Sequence, residues 1–460
     1  VLALIRPLFV PLILVLLCWF AAARWLGHGS KGIDANDLLV WFVFIPALLL
    51  GIWFVARRAL RREDAAAPTE AAASQDVAPA QVESPPAVRP VPLLVTAARL
   101  QSAAGASTSD LLGALAAGTS LAQPDATLID NQGLPMLAAP VSQLDLAHYE
   151  SWVSGWVQAH PDAQDRHELL VRSLALAADP ALGCLDSLCQ ETLDASGEGA
   201  TKPRKVQLML QAPRPVAFAL EDYLREQLLA HWGAELPLDL IAGPVQRTSS
   251  EDVLRIAGAF GTEPASERAD ALLIVACDTL YNEDAGLSLA SRQASPHLGE
   301  AAAAIVLQTT APVGAEVLAR LEAPTYGRRP QAPDQRGAAP DSASRLLTEC
   351  LGERVAPDAV HSVVSDCDHR AAWFVEAARA MTERLPQLDP VKDHLALGRV
   401  LGHTGMAASA LALAVAAAQV QEQQSPVVHA VLGHDFEQSF ALLTPYTPDT
   451  ESSTVHTADS

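Results

Sequence analysis

Two uncharged apolar stretches stand at the head of the chain, PLFVPLILVLLCWFAAA between Arg6 and Arg24 and LLVWFVFIPALLLGIWFVA between Asp37 and Arg57. Each approaches the ~20 residues that carry a helix across a bilayer. Trp19, Trp25, Trp41 and Trp53 sit near their ends, as interfacial aromatic rings do. The pattern predicts two transmembrane helices, about 7–23 and 38–56, in a membrane anchor spanning 1–62. Arg57, Arg58, Arg61 and Arg62 crowd behind the second span, so the positive-inside bias puts both termini on the cytoplasmic side. Gly27, Gly29 and Gly32 match a dinucleotide-loop spacing but join two membrane helices rather than a strand and a helix, so no cofactor is expected there.

Residues 63–92 are Ala, Pro and small polar residues with little to bury, an expected extended linker. Residues 445–460 are equally core-poor and are expected as a disordered tail. Between them, over 93–444, short β-branched runs alternate with Ala/Leu-rich helical patterns, which predicts an α/β domain. Strands are expected at Leu93–Thr96, Val206–Leu210, Leu238–Ala242, Ala271–Ala276, Ala303–Gln308, Val360–Val364 and Val427–Leu432. Helices are expected at Thr108–Ala117, Leu169–Ala178, Ala217–His231, Ser249–Phe260, Ala371–Arg384 and Gly405–Gln421. The last is small and apolar on every side, so it must be buried all round, between sheets.

Charge changes the picture. The 460 residues carry −22, but residues 1–62 hold seven basic and two acidic residues, so the remainder carries about −27 once that +5 is removed. Such a domain lacks the basic field that phosphate-backbone binding needs, so nucleic acid is not an expected partner. Among six cysteines the only close pair, Cys184 and Cys189, has no second ligand pair at zinc spacing. His160 and His167, amid Asp162, Asp165 and Glu168, read as a solvated acidic face. The loop Asp366, Cys367, Asp368, His369 contains metal-capable atoms without distant ligands, and no metal site is assigned to it. No GxSxG elbow, phosphate loop or HExxH is present, so ordinary hydrolase and ATPase chemistries lack their motifs.

Four segments in order resemble the ketosynthases and thiolases: LLVTAARLQSAAGASTSDLLGALAAGTS (93–120), VLRIAGAFGTEPASERADALLIVACDTL (253–280), GEAAAAIVLQ (299–308) and GHTGMAASALALAVA (402–416). The resemblance implies a thiolase-like five-layer αβαβα domain in two halves, about 93–295 and 296–444, around a buried helix pair. It also implies a cysteine nucleophile at the head of helix 249–260 and two histidines. A thiolate there would be activated by the helix N-terminus, and the imidazoles would stabilise the oxyanion. Residues Gly243 to Glu251 contain no cysteine. Where the first family histidine belongs stand Ser365, Asp366 and Cys367, with His369 two or three residues late; the family's closing "GFGG" loop reads GHDF at Gly433–Phe436. His403 alone keeps its family position, and without a partner it reads as a structural imidazole. An enzyme built on this chain would need Thr248 or Ser249 as hydroxyl nucleophile with His403 as base.

The segment QPDATLIDNQGLPMLAAPVSQLD (123–145), with the membrane segment and overall layout, resembles the type VI secretion lipase-adaptor family. That likeness implies a non-catalytic, inner-membrane adaptor or chaperone that binds a lipase effector in the cytoplasm and delivers it to the secretion spike protein. Acyl transfer near the membrane is the alternative, and a homodimer is a third expectation carried by the thiolase likeness.

Overall fold

The computed structural model describes residues 90–448 apart from 131, 197–202, 234–235, 244–251, 282–296, 313, 315, 336–340 and 353. Both expected membrane spans lie outside these residues, as do the linker 63–89 and the tail from 449. No helix among the described residues is long and apolar enough to cross a membrane.

The first half runs β1 (Leu93–Ser102), α1 (Thr108–Ala117), β2 (Gln123–Ile129), β3 (Pro135–Ala139), α2 (Leu146–Ala159), α3 (His167–Ser196), β4 (Arg204–Gln211), α4 (Arg214–Trp232), β5 (Leu238–Ala242), α5 (Val253–Thr262), β6 (Ala271–Thr279) and β7 (His297–Gln308). The second runs β8 (Ala319–Leu321), β9 (Thr325–Arg328), α6 (Ser342–Leu351), β10 (Ser362–Ser365), α7 (Ala371–Arg384), β11 (His394–Ala396), α8 (Leu397–Leu401), α9 (Ala408–Gln423), β12 (Val427–Val431) and β13 (Glu437–Thr444).

The two halves repeat one topology. The strands run β5-β4-β6-β7-β1 in the first and β11-β10-β12-β13-β8 in the second, joined where β1 pairs antiparallel with β8. In each half three strands are parallel, and the next, β7 or β13, is antiparallel to both its neighbours. Because β7 pairs with β6 and β1, the seam between halves falls between β7 and β8, a correction to the boundary expected at 295/296.

Strand periodicity explains the layering. Successive side chains of a strand point to opposite faces, so a strand buried on both reads as one apolar run. In β7, Ala301, Ala303, Ile305 and Leu307 enter a central core while Ala302, Ala304 and Val306 enter an outer one. In β12, Val427 and Val431 face the centre and Val428 and Ala430 the opposite outer core. The central core holds α5 and α9; the outer cores hold α3 with α4, and α6 with α7. The layers are therefore helix, sheet, helix, sheet, helix. As its all-round apolar sequence predicts, α9 is buried on every side, packed on β1 and β7 of one half and β10 and β12 of the other.

Among the expected elements whose limits differ, three do so for a clear physical reason. The helix expected at Leu169–Ala178 runs thirty residues, straight through Pro180. That proline removes one backbone donor and disfavours an isolated helix, but Leu170, Leu174, Ala181, Leu185 and Leu188 all bury in the outer core and hold it. The strand expected at Val360–Val364 starts at Ser362, behind a 3-10 turn at Pro357–Ala359. The described part of the helix expected at Ser249–Phe260 begins at Val253, because Asp252 caps it.

Candidate functional site

The repeat places α5 after the outermost strand of the first half, β5, and α9, by way of α8, after the outermost strand of the second, β11. Their heads meet: the Val253 amide donates to Ser409 Oγ at 3.3 Å. A condensing enzyme of this architecture would keep its thiolate at the head of α5. Here Asp252 is the N-cap, accepting from the Arg255 amide at 2.8 Å and from Ser439 Oγ at 2.7 Å. The cap is well chosen for the helix dipole, yet it fills the electropositive end with a carboxylate. Thr248 and Ser249 lie outside the described residues. The five described cysteines, Cys184, Cys189, Cys277, Cys350 and Cys367, are all buried, and burial pushes each thiol up, Cys184, Cys189 and Cys350 to about 12.

At the head of α9 the chain turns sharply through GHTG. Gly402 and Gly405 have φ of +76° and +53°, conformations that glycine adopts without strain. A Cβ on Gly405 would overlap the Asp278 carboxylate, whose Oδ2 accepts the Met406 amide at 2.9 Å. Asp278, next to last in β6, thus ties the first half to the turn that opens α9. Burial pushes its pKa up to about 6, against the opposing pull of the Met406 and Thr279 amides.

His403 belongs to that turn. Its amide donates to the His297 carbonyl at 2.8 Å and its carbonyl accepts from Gly299 at 3.0 Å, so β7 and the turn are laced together. The His297 ring in turn stacks on His369, centroids 4.2 Å apart and planes within 9°. Burial lowers the pKa of His403 and of His297; Asp368 opposes both shifts. Asp368 is itself engaged by the Arg370 Nε at 2.6 Å, and Arg370 lies over the Trp373 ring at 3.4 Å and reaches Asp435 at 3.6 Å. The site expected to hold a single imidazole therefore gathers three, on a buried ion pair. His369, out of register by sequence, reaches the cluster, which is a correction to its exclusion.

Where the first family histidine belongs, each side chain has other work. Ser365 Oγ meets His394 Nε2 at 2.7 Å; Asp366 Oδ1 accepts the Leu432 and Gly433 amides at 2.6 and 2.9 Å; Cys367 Sγ donates to the Trp373 carbonyl. Burial raises Asp366 to about 6. Asp366, Cys367 and Asp368 thus engage separate partners, and no group of three metal-capable side chains converges among the described residues. The GHDF loop is closed on itself, with His434 Nδ1 accepting the Phe436 and Glu437 amides at 3.1 Å each. His160 stacks on Trp156 at 4.0 Å, and His167 meets Ser154 Oγ at 3.2 Å, so these two serve the helix surface.

The stretch 123–145 forms the β2–β3 hairpin and its exit. Glu300 pins that exit: it accepts the Val141 amide at 2.6 Å, Thr279 Oγ1 at 2.8 Å and Arg172 Nε at 2.6 Å. Tyr281 Oη donates to Asp125 at 2.7 Å and lies under the Arg172 guanidinium. The hairpin tip carries Leu134, 57 % exposed, beyond an Asp130 that accepts the Gln132 and Leu134 amides.

No family model and no curated protein matches the chain. Solved structures do. A β-ketoacyl synthase from Burkholderia phymatum STM815 matches with a TM-score of 0.51 at 12 % identity, over 78 % of this chain and all of that one. The ketosynthase from module 6 of the bacillaene synthase of Bacillus subtilis 168 gives 0.52 at 10 %, over 78 % and 72 %. A type II polyketide ketosynthase solved in complex with its acyl-carrier protein gives 0.51 at 13 %, over 78 % and 100 %. At these identities the likeness concerns architecture alone, and the chain has a mixed α/β, thiolase/ketosynthase-like fold.

Proposed function

We propose that this chain is a non-catalytic adaptor on a ketosynthase-like fold, anchored in a bacterial inner membrane by residues 1–62 with its domain in the cytoplasm. Its cargo is a type VI secretion lipase effector, handed to the secretion spike. The observation that carries the non-catalytic part is the head of α5: Gly243 to Glu251 contain no cysteine, and Asp252 takes the electropositive end where a thiolate would need stabilising. A carboxylate there raises the pKa of a neighbouring thiol rather than lowering it. Fold alone assigns no activity. The cargo rests on the resemblance of residues 123–145 to the lipase-adaptor family, and the exposed Leu134 tip of that hairpin supplies an apolar contact for a partner.

One observation favours a second reading. Three imidazoles around the head of α9 are more than a structural turn requires, and an acyl-transfer enzyme using Thr248 or Ser249 with His403 as base would use them. Affinity purification of the detergent-solubilised full-length protein from its host, at low and moderate salt with mass spectrometry, separates the two. A lipase or spike protein supports the adaptor. Acyl-carrier protein, with acyl transfer lost in Thr248→Ala, Ser249→Ala and His403→Ala, overturns it; self-association alone replaces it with a structural dimer.

A further inference from the structure

Helix α2 carries a ring at every fourth position of its outer face: Trp152, Trp156 and the C-cap His160. Side chains four apart on a helix lie one above the other. His160 lies on Trp156 with centroids 4.0 Å apart and planes within 19°, and rings that close can only be face to face, so the faces of the Trp156 indole look along the helix. Trp152 has the same tilt, again within 19°, but its centroid stands 6.5 Å from that of Trp156. This is close to twice the ~3.5 Å contact distance between carbon atoms, the room one planar group takes between two rings. The two indoles therefore flank a slot.

Helix α4 supplies the edge of that slot. Trp152 Nε1 donates to Glu226 Oε2 at 2.7 Å and Trp156 Nε1 to Asp222 Oδ2 at 2.8 Å. Both carboxylates are exposed, one turn apart, and neither is in a salt bridge among the described residues. Gly155 leaves the backbone beside the indoles bare, with no atom within 4 Å of the place a Cβ would take. Among the described residues no guanidinium lies over Trp152 or Trp156, although Arg214 covers Phe218 on the same helix α4. The chain running on from α2 adds exposed Asp162, Asp165 and Glu168 against Arg166. Each of these features selects the same ligand. Indole faces attract a cation, the gap admits a planar one, and carboxylates at its edge match a fork of N–H donors. An arginine guanidinium meets all three conditions, whereas lysine brings the charge without the plane.

We propose that the α2–α4 face docks a basic segment of a protein partner through one arginine, whose guanidinium inserts between Trp152 and Trp156 and pairs with Asp222 and Glu226. Tryptophan and arginine are the side chains that dominate interface energies, and the acidic surround steers a basic partner toward them. This surface stands independently of the adaptor reading.

The test is fluorescence anisotropy of fluorescein-labelled hexa-arginine and hexa-lysine peptides with the full-length chain in uncharged dodecyl maltoside micelles. The two peptides carry equal charge, so the negative field of the domain acts alike on both, and hexa-arginine is expected to bind about fivefold tighter through stacking. Asp222→Asn/Glu226→Gln leaves each indole N–H an acceptor, so it keeps the fold and weakens hexa-arginine about tenfold. Asp334→Asn/Glu349→Gln removes the same charge elsewhere on the surface and weakens it less than about twofold. Trp152→Leu/Trp156→Leu brings hexa-arginine down to the affinity of hexa-lysine. Equal affinity of the two peptides for the parent chain, equal losses in the two carboxamide variants, or stronger displacement of hexa-arginine by tetramethylammonium than by methylguanidinium, the mark of a quaternary-ammonium site, overturns the proposal.

Discussion

The imidazole of His369 lies face to face with that of His297, centroids 4.2 Å apart and planes within 9°, so the two rings share one slot and one proton cannot be added to either without the other feeling it. Burial first, then the His369 charge, hold His297 below the ordinary histidine range. His369→Phe keeps the stack and removes the second titrating ring. The His297 pKa then moves upward while remaining below the usual value, because its burial persists. A ring-proton titration by NMR between pH 4 and 8 reads this; an unmoved midpoint would show that the rings do not communicate.

Two glycines should respond in opposite directions to the same substitution. Gly405 has φ +53° and no room for a methyl beside Asp278, whereas Gly113 lies inside α1 with no atom within 4 Å of the place a methyl would occupy. Gly405→Ala is expected to destabilise by about 2–4 kcal/mol through strain and overlap. Gly113→Ala is expected to stabilise by about 0.5–1 kcal/mol, the helix-propensity difference. Urea midpoints of both variants decide it, and equal losses would refute the assignment of Gly405 as a sterically required turn.

Asp278 predicts a pH effect of definite sign. Its folded pKa of about 6 lies above the ordinary 3.8, so the folded state holds the proton more tightly than the unfolded chain, and stability falls as pH rises through the window from about 4 to 6. Asp278→Asn keeps an acceptor for the Met406 amide and deletes the titration. Relative to the parent, the variant should gain about 2 kcal/mol between pH 4 and pH 7. Denaturant unfolding of both proteins at those two pH values measures the difference, and a constant offset between them contradicts the prediction.

His429 acts in the reverse direction. It sits on β12 in the second half, fully buried, both ring nitrogens lack a partner, and burial pushes its pKa down to about 3. The unfolded chain therefore binds the extra proton, and stability is lost as pH falls from about 6.5 toward 3. His429→Leu should remove about 2 kcal/mol of the loss between pH 7.5 and pH 5. If thermal melts at the two pH values show the parent and variant shifting together, the buried neutral imidazole is not the cause.

Much of the architecture was legible in the residues that bury on two sides. The strand at Leu238–Ala242 and the helices at Thr108–Ala117 and Ala371–Arg384 match the observed limits, because their apolar spacing and their boundary residues agree. Helix α3 was underread since Pro180 is a local stop signal that only tertiary burial overrides. Strands β8, β9 and β11 are three or four residues long and exist through their pairing partners, which no local pattern reports. In the site, His403 was legible from GHTG. His297 was not, although it is the polar residue that opens the strand HLGEAAAAIVLQ, and its link to His403 is a backbone ladder across a hundred residues of chain. Asp278 left a similar trace, an acid closing the run ALLIVACD.

The doubled topology has a consequence during synthesis. Strand β1 is made first but is enclosed only by β7 and β8, whose last residues, Gln308 and Leu321, follow Ser102 by about 200 positions. At roughly 5–20 residues per second, both edges of β1 stay bare for some 10–40 s on the ribosome. An apolar strand with two open edges invites pairing with other chains, so the nascent protein carries its most exposed pairing surface until the seam strand has emerged.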